Sequence, residues 1–183
     1  MGLLMGLWDR LFGSGAPEGF TGGLDPEEHV AASAPSGEGW LVATPLGLWL
    51  PEQPPRRVGW HLVSKAAWDG KALTVTEAVE DEVVTGESGG TAVLLRDLRP
   101  VRYAVERPGK LTDQVHQRVT QAIRQRRRDN VVGAWFLLRK IPGRDGAVLH
   151  VRADAGADAD RVRAAAAEQV TALAAGAAHW DPA

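Results

Sequence analysis

Between residues 40 and 106 the chain sets short apolar or alternating runs between Gly, Pro and charged residues. Residues 40–44 form an apolar run. A tight connection at 45–47 follows, and Leu46, Leu48 and Leu50 alternate with Gly47 and Trp49. Pro51, Pro54 and Pro55 mark a loop. Val58, Trp60 and Leu62 alternate with Gly59, His61 and Val63, and the pattern runs on to Ala66 and Trp68. Asp69-Gly70 reads as a hairpin turn. Leu73 and Val75 then alternate with Thr74 and Thr76, Val83-Val84 is a weaker run, and residues 86–90 break the chain. Residues 92–95 and the set Val101, Tyr103, Val105 complete about seven short strands.

The period then changes. Leu111, Val115, Val119, Ala122 and Ile123 recur at helical spacing, which predicts an amphipathic helix over 111–128. Arg124, Arg126, Arg127 and Arg128 crowd its last turn, where positive charge suits the helix dipole. The apolar run 131–138 and the alternation of Ala147, Leu149 and Val151 flank a loop at 141–146, and predict an antiparallel hairpin docked on what precedes it. An Ala-rich helix follows, capped by Asp158 or Asp160, with Val162, Ala166, Val170 and Leu173 on one stripe. Upstream, Asp25-Pro26-Glu27-Glu28 reads as the start of a short helix that residues 35–37 end. Strand alternation meeting a helical stripe predicts one core made by Val58, Trp60, Leu62, Leu73, Val75, Val93, Leu95, Val119 and Ile123.

The run from Leu41-Val42-Ala43-Thr44 through Leu48-Trp49, the run Val58-Gly59-Trp60-His61-Leu62-Val63, and Ala66-Ala67-Trp68 carry a likeness, joined by the helix and hairpin that follow. From residue 39 onward the chain resembles actinobacterial proteins of unknown function with a pleckstrin-homology-like domain. The resemblance implies an α+β fold: a curved antiparallel barrel of about seven strands capped by a helix, then a β-hairpin and a second helix. The organisation expected is a segment 1–38 with an amphipathic stretch, a linker and a short helix, the barrel domain at 39–128, and a hairpin–helix extension at 129–183. The resemblance implies no activity, because this fold hosts lipid binding, peptide binding and scaffolding alike.

Chemistry narrows the function mainly by exclusion. Cysteine is absent, which removes disulfides, zinc–thiolate sites and thiol nucleophiles together. The five His are dispersed, and His61 and His150 are expected as half-exposed strand residues. Glu80, Asp81 and Glu82 read as a solvated acidic turn. No nucleophile elbow, dinucleotide fingerprint or phosphate loop occurs. No catalytic residue, metal ligand or cofactor is therefore predicted. A net charge of -2 gives no global attraction to nucleic acid, which is not an expected partner. The arginines at 124, 126, 127 and 128 are a candidate anion contact, weakened by the lack of interleaved exposed aromatics. Trp40, Trp60, Trp68 and Trp135 are expected in or beside the core, Trp49 in solvent and Trp180 in a polar tail.

The strongest functional signal lies in the first residues. Leu3, Leu4, Leu7, Trp8, Leu11 and Phe12 share one face of a 3.6-residue period. The stretch lacks the basic start of a signal peptide and is too short to span a bilayer. An apolar face of this size marks an interaction site. Arg10 is its one basic residue, so a protein partner or self-association ranks above a membrane surface. The expected function is a non-catalytic binding or scaffold role in the cytoplasm. A peripheral membrane adaptor anchored by this helix is the alternative, and an enzyme with an unrecognised site is third.

Overall fold

The computed structural model describes residues 15–178 and 180–182. The strands are β1 (Ala32–Ser36), β2 (Gly39–Ala43), β3 (Gly47–Leu50), β4 (Arg56–Gly59), β5 (Val63–Trp68) and β6 (Ala72–Thr85). They continue with β7 (Thr91–Asp97), β8 (Val101–Ala104), β9 (Ile123–Asp129), β10 (Ala134–Arg139), β11 (Val148–Ala153) and β12 (Asp181–Pro182). The helices among the described residues are α1 (Leu111–Gln121) and α2 (Ala159–Ala174). The class is α+β, as expected. Contacts divide the chain into two units. The first runs up to Thr76 and adds Pro100–Val119; the second is Glu77–Arg99 with everything from Thr120 onward. The residues expected in one core therefore fall in both units: Val58, Trp60, Leu73 and Val75 are buried in the first, and Val93 and Leu95 in the second.

In the first unit β1 to β4 form an antiparallel sheet in chain order. Tight turns set that order. Between β2 and β3 the Thr44 N–H donates to the Gly47 carbonyl at 3.0 Å, and its hydroxyl accepts from the N–H groups of Leu46 and Gly47. A Cβ on Gly47 would stand 2.3 Å from the Val58 carbonyl oxygen and 2.9 Å from Arg57 Cγ. Gly47→Ala should thus cost about 1–3 kcal/mol, since overpacking against backbone is poorly relaxed. A urea midpoint unchanged from the parent would show that β3 and β4 can part to admit a methyl.

A 3-10 turn at Trp60–Leu62 leads into β5, and β5 and the start of β6 pair across the predicted Asp69-Gly70 turn. Asp69 Oδ1 accepts from Lys71 N–H at 2.9 Å and Ala72 N–H at 2.8 Å, and the carboxylate also meets Arg102. The Lys71 backbone bond, then Arg102 and Ala72, hold its carboxyl down at about 2. A depressed carboxyl pKa stabilises above the ordinary carboxylate range, and this contribution fades as pH falls toward about 2. β8 pairs with the same end of β6, and α1 buries Leu111 and Val115.

The second unit is one mixed sheet in the order β12-β9-β10-β11-β7-β6, with β6 contributing its later residues. The predicted hairpin is present: β10 and β11 pair antiparallel from Ala134↔Ala153 to Arg139↔Val148. It is the centre of this sheet, with β9 on one side and β7 on the other. β11 runs parallel to β7, so the pairing is mixed where the resemblance implied an antiparallel set. Asp158 caps α2 by accepting the Arg161 N–H. The helix lays Val162, Ala166 and Val170 on Ala92, Ala134, Phe136, Leu149 and Val151.

Four local expectations are corrected. The helix over 111–128 ends at Gln121, and β9 takes up the arginines, because residues 123–129 find ladder partners along β10. Val119 and Ile123 are only half-buried; Ala122 is buried instead. Residues 25–28 form a turn rather than a helix, closed by the Glu28 N–H on the Asp25 carbonyl at 2.8 Å, and Ala32–Ser36 is a strand. Glu80, Asp81 and Glu82 lie within β6, where a bulge between Glu80 and Glu82 absorbs the extra residue.

Candidate functional site

The arginines picked out by sequence lie together on β9. Alternation along the strand puts Arg126 and Arg128 on the face opposite Arg127. Arg124 sits at the irregularity where Gln125 pairs with Leu138 but Ile123 pairs with Arg139. Arg128 lies directly across from Trp135 of β10, and its guanidinium stacks 5.5 Å from the indole centroid. Trp135 is 37% exposed, not packed inward as expected. Arg128 also forks onto Asp154, which holds that carboxyl below its ordinary value, and Arg127 lies 3.7 Å from Asp129. Arg124 and Arg126 are exposed, and the backbone of Asp181 in β12 lies in register with Arg126. Beyond Arg128, the turn to β10 leaves Val131 87% exposed. The interleaved aromatic that the linear sequence lacks is therefore supplied across the ladder.

A second concavity lies within the same unit. The carboxyl ends of the parallel strands β7 and β11 and the first turns of α2 enclose a cleft of about 500 Å³. Leu94, Val151 and Val162 give it an apolar lining. Ion pairs stand around it: Arg152 with Asp97 at 2.5 Å, Arg163 with Glu82 at 2.9 Å, and Arg96 with Asp81 at 3.2 Å. Arg139 is 2% exposed; burial and the nearby charge of Arg152 push its pKa down to about 10, against the pull of Asp97. No motif signals this cleft, because its walls come from separate segments joined only by sheet pairing.

The first unit holds a buried carboxylate, Glu28, that the sequence reading assigned to a helix turn. It accepts from the Asp25 N–H at 3.1 Å, from Trp49 Nε1 at 3.2 Å, and from the Thr44 hydroxyl, and it pairs with Arg57. Arg57 lies 5.5 Å from the Trp49 ring centroid and also reaches Asp25 at 3.0 Å. Burial works against the charge of Arg57, but Asp25 and Glu28 outweigh it and raise its pKa. Every polar edge of this cluster has a partner, so it ties residues 25–28 to the sheet and offers nothing to a ligand. It also explains why Trp49, expected in solvent, is only 7% exposed. His150, expected half-exposed, is fully buried in β11, and Trp180, expected in a polar tail, meets Phe136 edge to face at 6.5 Å.

Among the described residues no three His, Cys, Asp or Glu converge as a metal site, and no helix is long and apolar enough to cross a membrane. Leu3, Leu4, Leu7, Trp8, Leu11 and Phe12 lie outside the described residues. Compared with known proteins, the chain matches no family model, no curated protein and no solved structure.

Proposed function

We propose that this chain is a non-catalytic binding protein that engages an acidic protein partner through the exposed arginines of β9 and the exposed Trp135 of β10. One observation carries the reading: Arg124 and Arg126 are exposed on the strand that pairs with the one bearing the exposed Trp135. Exposed cations on the strand next to an exposed indole supply attraction and a rigid apolar anchor, the combination enriched where proteins meet. The charge steers a partner and the indole holds it, so the two should separate experimentally.

A fluorescent Glu-rich decapeptide is a direct probe by anisotropy. The double change Arg124→Glu with Arg126→Glu should weaken its binding about tenfold or more, and high salt should do the same to the parent. Trp135→Ala should weaken binding with little change in salt dependence. Equal peptide affinity for parent and charge-reversed chain would remove the reading. Binding to vesicles rich in phosphatidylserine, with none to the peptide, would replace it by peripheral membrane attachment, in which the residues 3–12 stripe becomes the natural second anchor.

A further inference from the structure

We infer that the acidic partner binds as an added antiparallel strand along the outer edge of β9, taking the place of β12. The inference rests on the function proposed above and specifies how the partner is held.

β9 lies second from the edge of its sheet, with β12 outside it. The outer pairing is minimal: among the described residues it joins Asp181 to Arg126 and Pro182 to Gln125. On the other side β10 accompanies β9 from Ile123 to Asp129. Backbone N–H and C=O groups alternate in direction along an antiparallel strand. The Asp129 carbonyl accepts from the Gly133 N–H at 2.9 Å, so Asp129 and Arg127 turn their backbone groups toward β10. Arg126 and Arg128 then turn theirs outward. β12 meets the first of these, and its ladder does not reach the second. The Arg128 side chain is drawn across the sheet to Trp135 and Asp154, away from this edge. An open edge of this kind is a template for a further strand.

β12 holds its place weakly. Pro182 has no N–H, so Asp181 supplies the donor of this two-residue pairing. Trp180, which packs on Phe136, lies outside the strand, so β12 can leave without opening the core. The composition of β9 selects what replaces it. Four of its seven residues are arginine. A second copy of β9 would set arginine against arginine, and like charges directly opposite destabilise a ladder. An acidic strand sets opposite charges there. β12 already follows this rule, since the residue in register with Arg126 is an aspartate. Main-chain hydrogen bonds then hold the segment while the arginines select it.

The test uses the full ¹⁵N-labelled chain with the Glu-rich decapeptide, beside the same peptide methylated at every backbone nitrogen. Methylation keeps the carboxylates and removes the N–H groups. The methylated peptide should bind at least about tenfold more weakly. At saturation with the unmethylated peptide, hydrogen exchange at the Arg128 amide should slow about tenfold or more, while that at Arg127, already turned to β10, stays the same. Asp181→Pro removes the N–H that β12 gives the ladder and should tighten peptide binding about threefold. Equal affinity of the two peptides, or unaltered exchange at Arg128, would overturn strand addition; sensitivity of binding to Arg124→Glu with Arg126→Glu would then still support the contact proposed above. No binding of either peptide would remove that contact and this inference together. Unchanged affinity in a folded Asp181→Pro chain would overturn the displacement of β12. Should that variant unfold, the Asp181 amide of the parent chain decides: faster exchange with peptide bound supports release of β12, and unchanged or slower exchange overturns it.

Discussion

Glu28→Ala should lower the stability of the first unit by about 3 kcal/mol, the low end for removing one partner of a buried ion pair. The carboxylate is fully enclosed and serves four donors at once: the Asp25 amide, the Thr44 hydroxyl, the Trp49 indole and Arg57. Deleting it leaves the Trp49 N–H, which is buried, without an acceptor, and leaves the Thr44 hydroxyl to its remaining backbone bonds. Arg57 loses less, because it is partly exposed and retains Asp25. Glu28→Gln preserves an acceptor for the indole while removing the charge, so it should cost roughly half as much, since a neutral hydrogen bond replaces a charged one. Hydrogen exchange should report the loss as faster exchange of the amides in β1 to β4. Unchanged exchange there in Glu28→Ala would mean that residues 25–28 are not held by this carboxylate.

Phe136→Ala should cost about 3–5 kcal/mol, the range for emptying a buried aromatic site. Phe136 is 1% exposed in the middle of β10, flanked in the core by Leu149 and Val151 and covered by α2. The edge of Trp180 closes against its ring. Collapse of the site is limited because Ala92, Ala134 and Ala166, already small and fully buried, have no side chain to extend into the gap. The loss should appear as faster exchange in β9, β10 and β11. A cost near 1 kcal/mol would mean that Trp180 moves inward to fill the space, since partial relaxation is what lowers cavity costs.

These two sites differ in how far the sequence announces them. Phe136 belongs to a run of apolar residues that any periodicity reading places inside, and the hairpin it lies on is where the alternation puts it. Glu28 cannot be read that way. Asp-Pro-Glu-Glu fits the first turn of a helix and equally fits a turn closed by its own side chains. What decides is Thr44, Trp49 and Arg57, which lie on other strands. The arginines repeat the lesson. Arg and Gln are good helix formers, so the 111–128 stripe gives no reason to stop at Gln121. The strand exists because β10 offers it a ladder, and tertiary pairing outweighs propensity. Trp49 misleads for a related reason. Strict alternation assumes one wet face, whereas all four residues of β3 are buried. The basic–aromatic face was half legible, since the cations are adjacent in sequence while their indole is contributed by the neighbouring strand.

The order in which the chain visits its two units has a consequence for biosynthesis and for dissection. It leaves the first unit after Thr76, returns at Pro100 and leaves again after Val119. A ribosome therefore releases β1 to β4 long before α1, which the first unit also needs, and β7 waits for β11, its parallel neighbour. Such non-local closure slows folding and prolongs exposure of strand edges. It also means that no single cut yields either unit whole. A fragment ending before residue 100 lacks β8 and α1, and one beginning at residue 120 lacks β6 and β7. The two units are inherited, truncated and transplanted as one piece of chain, and a gene fusion that respects this must carry both.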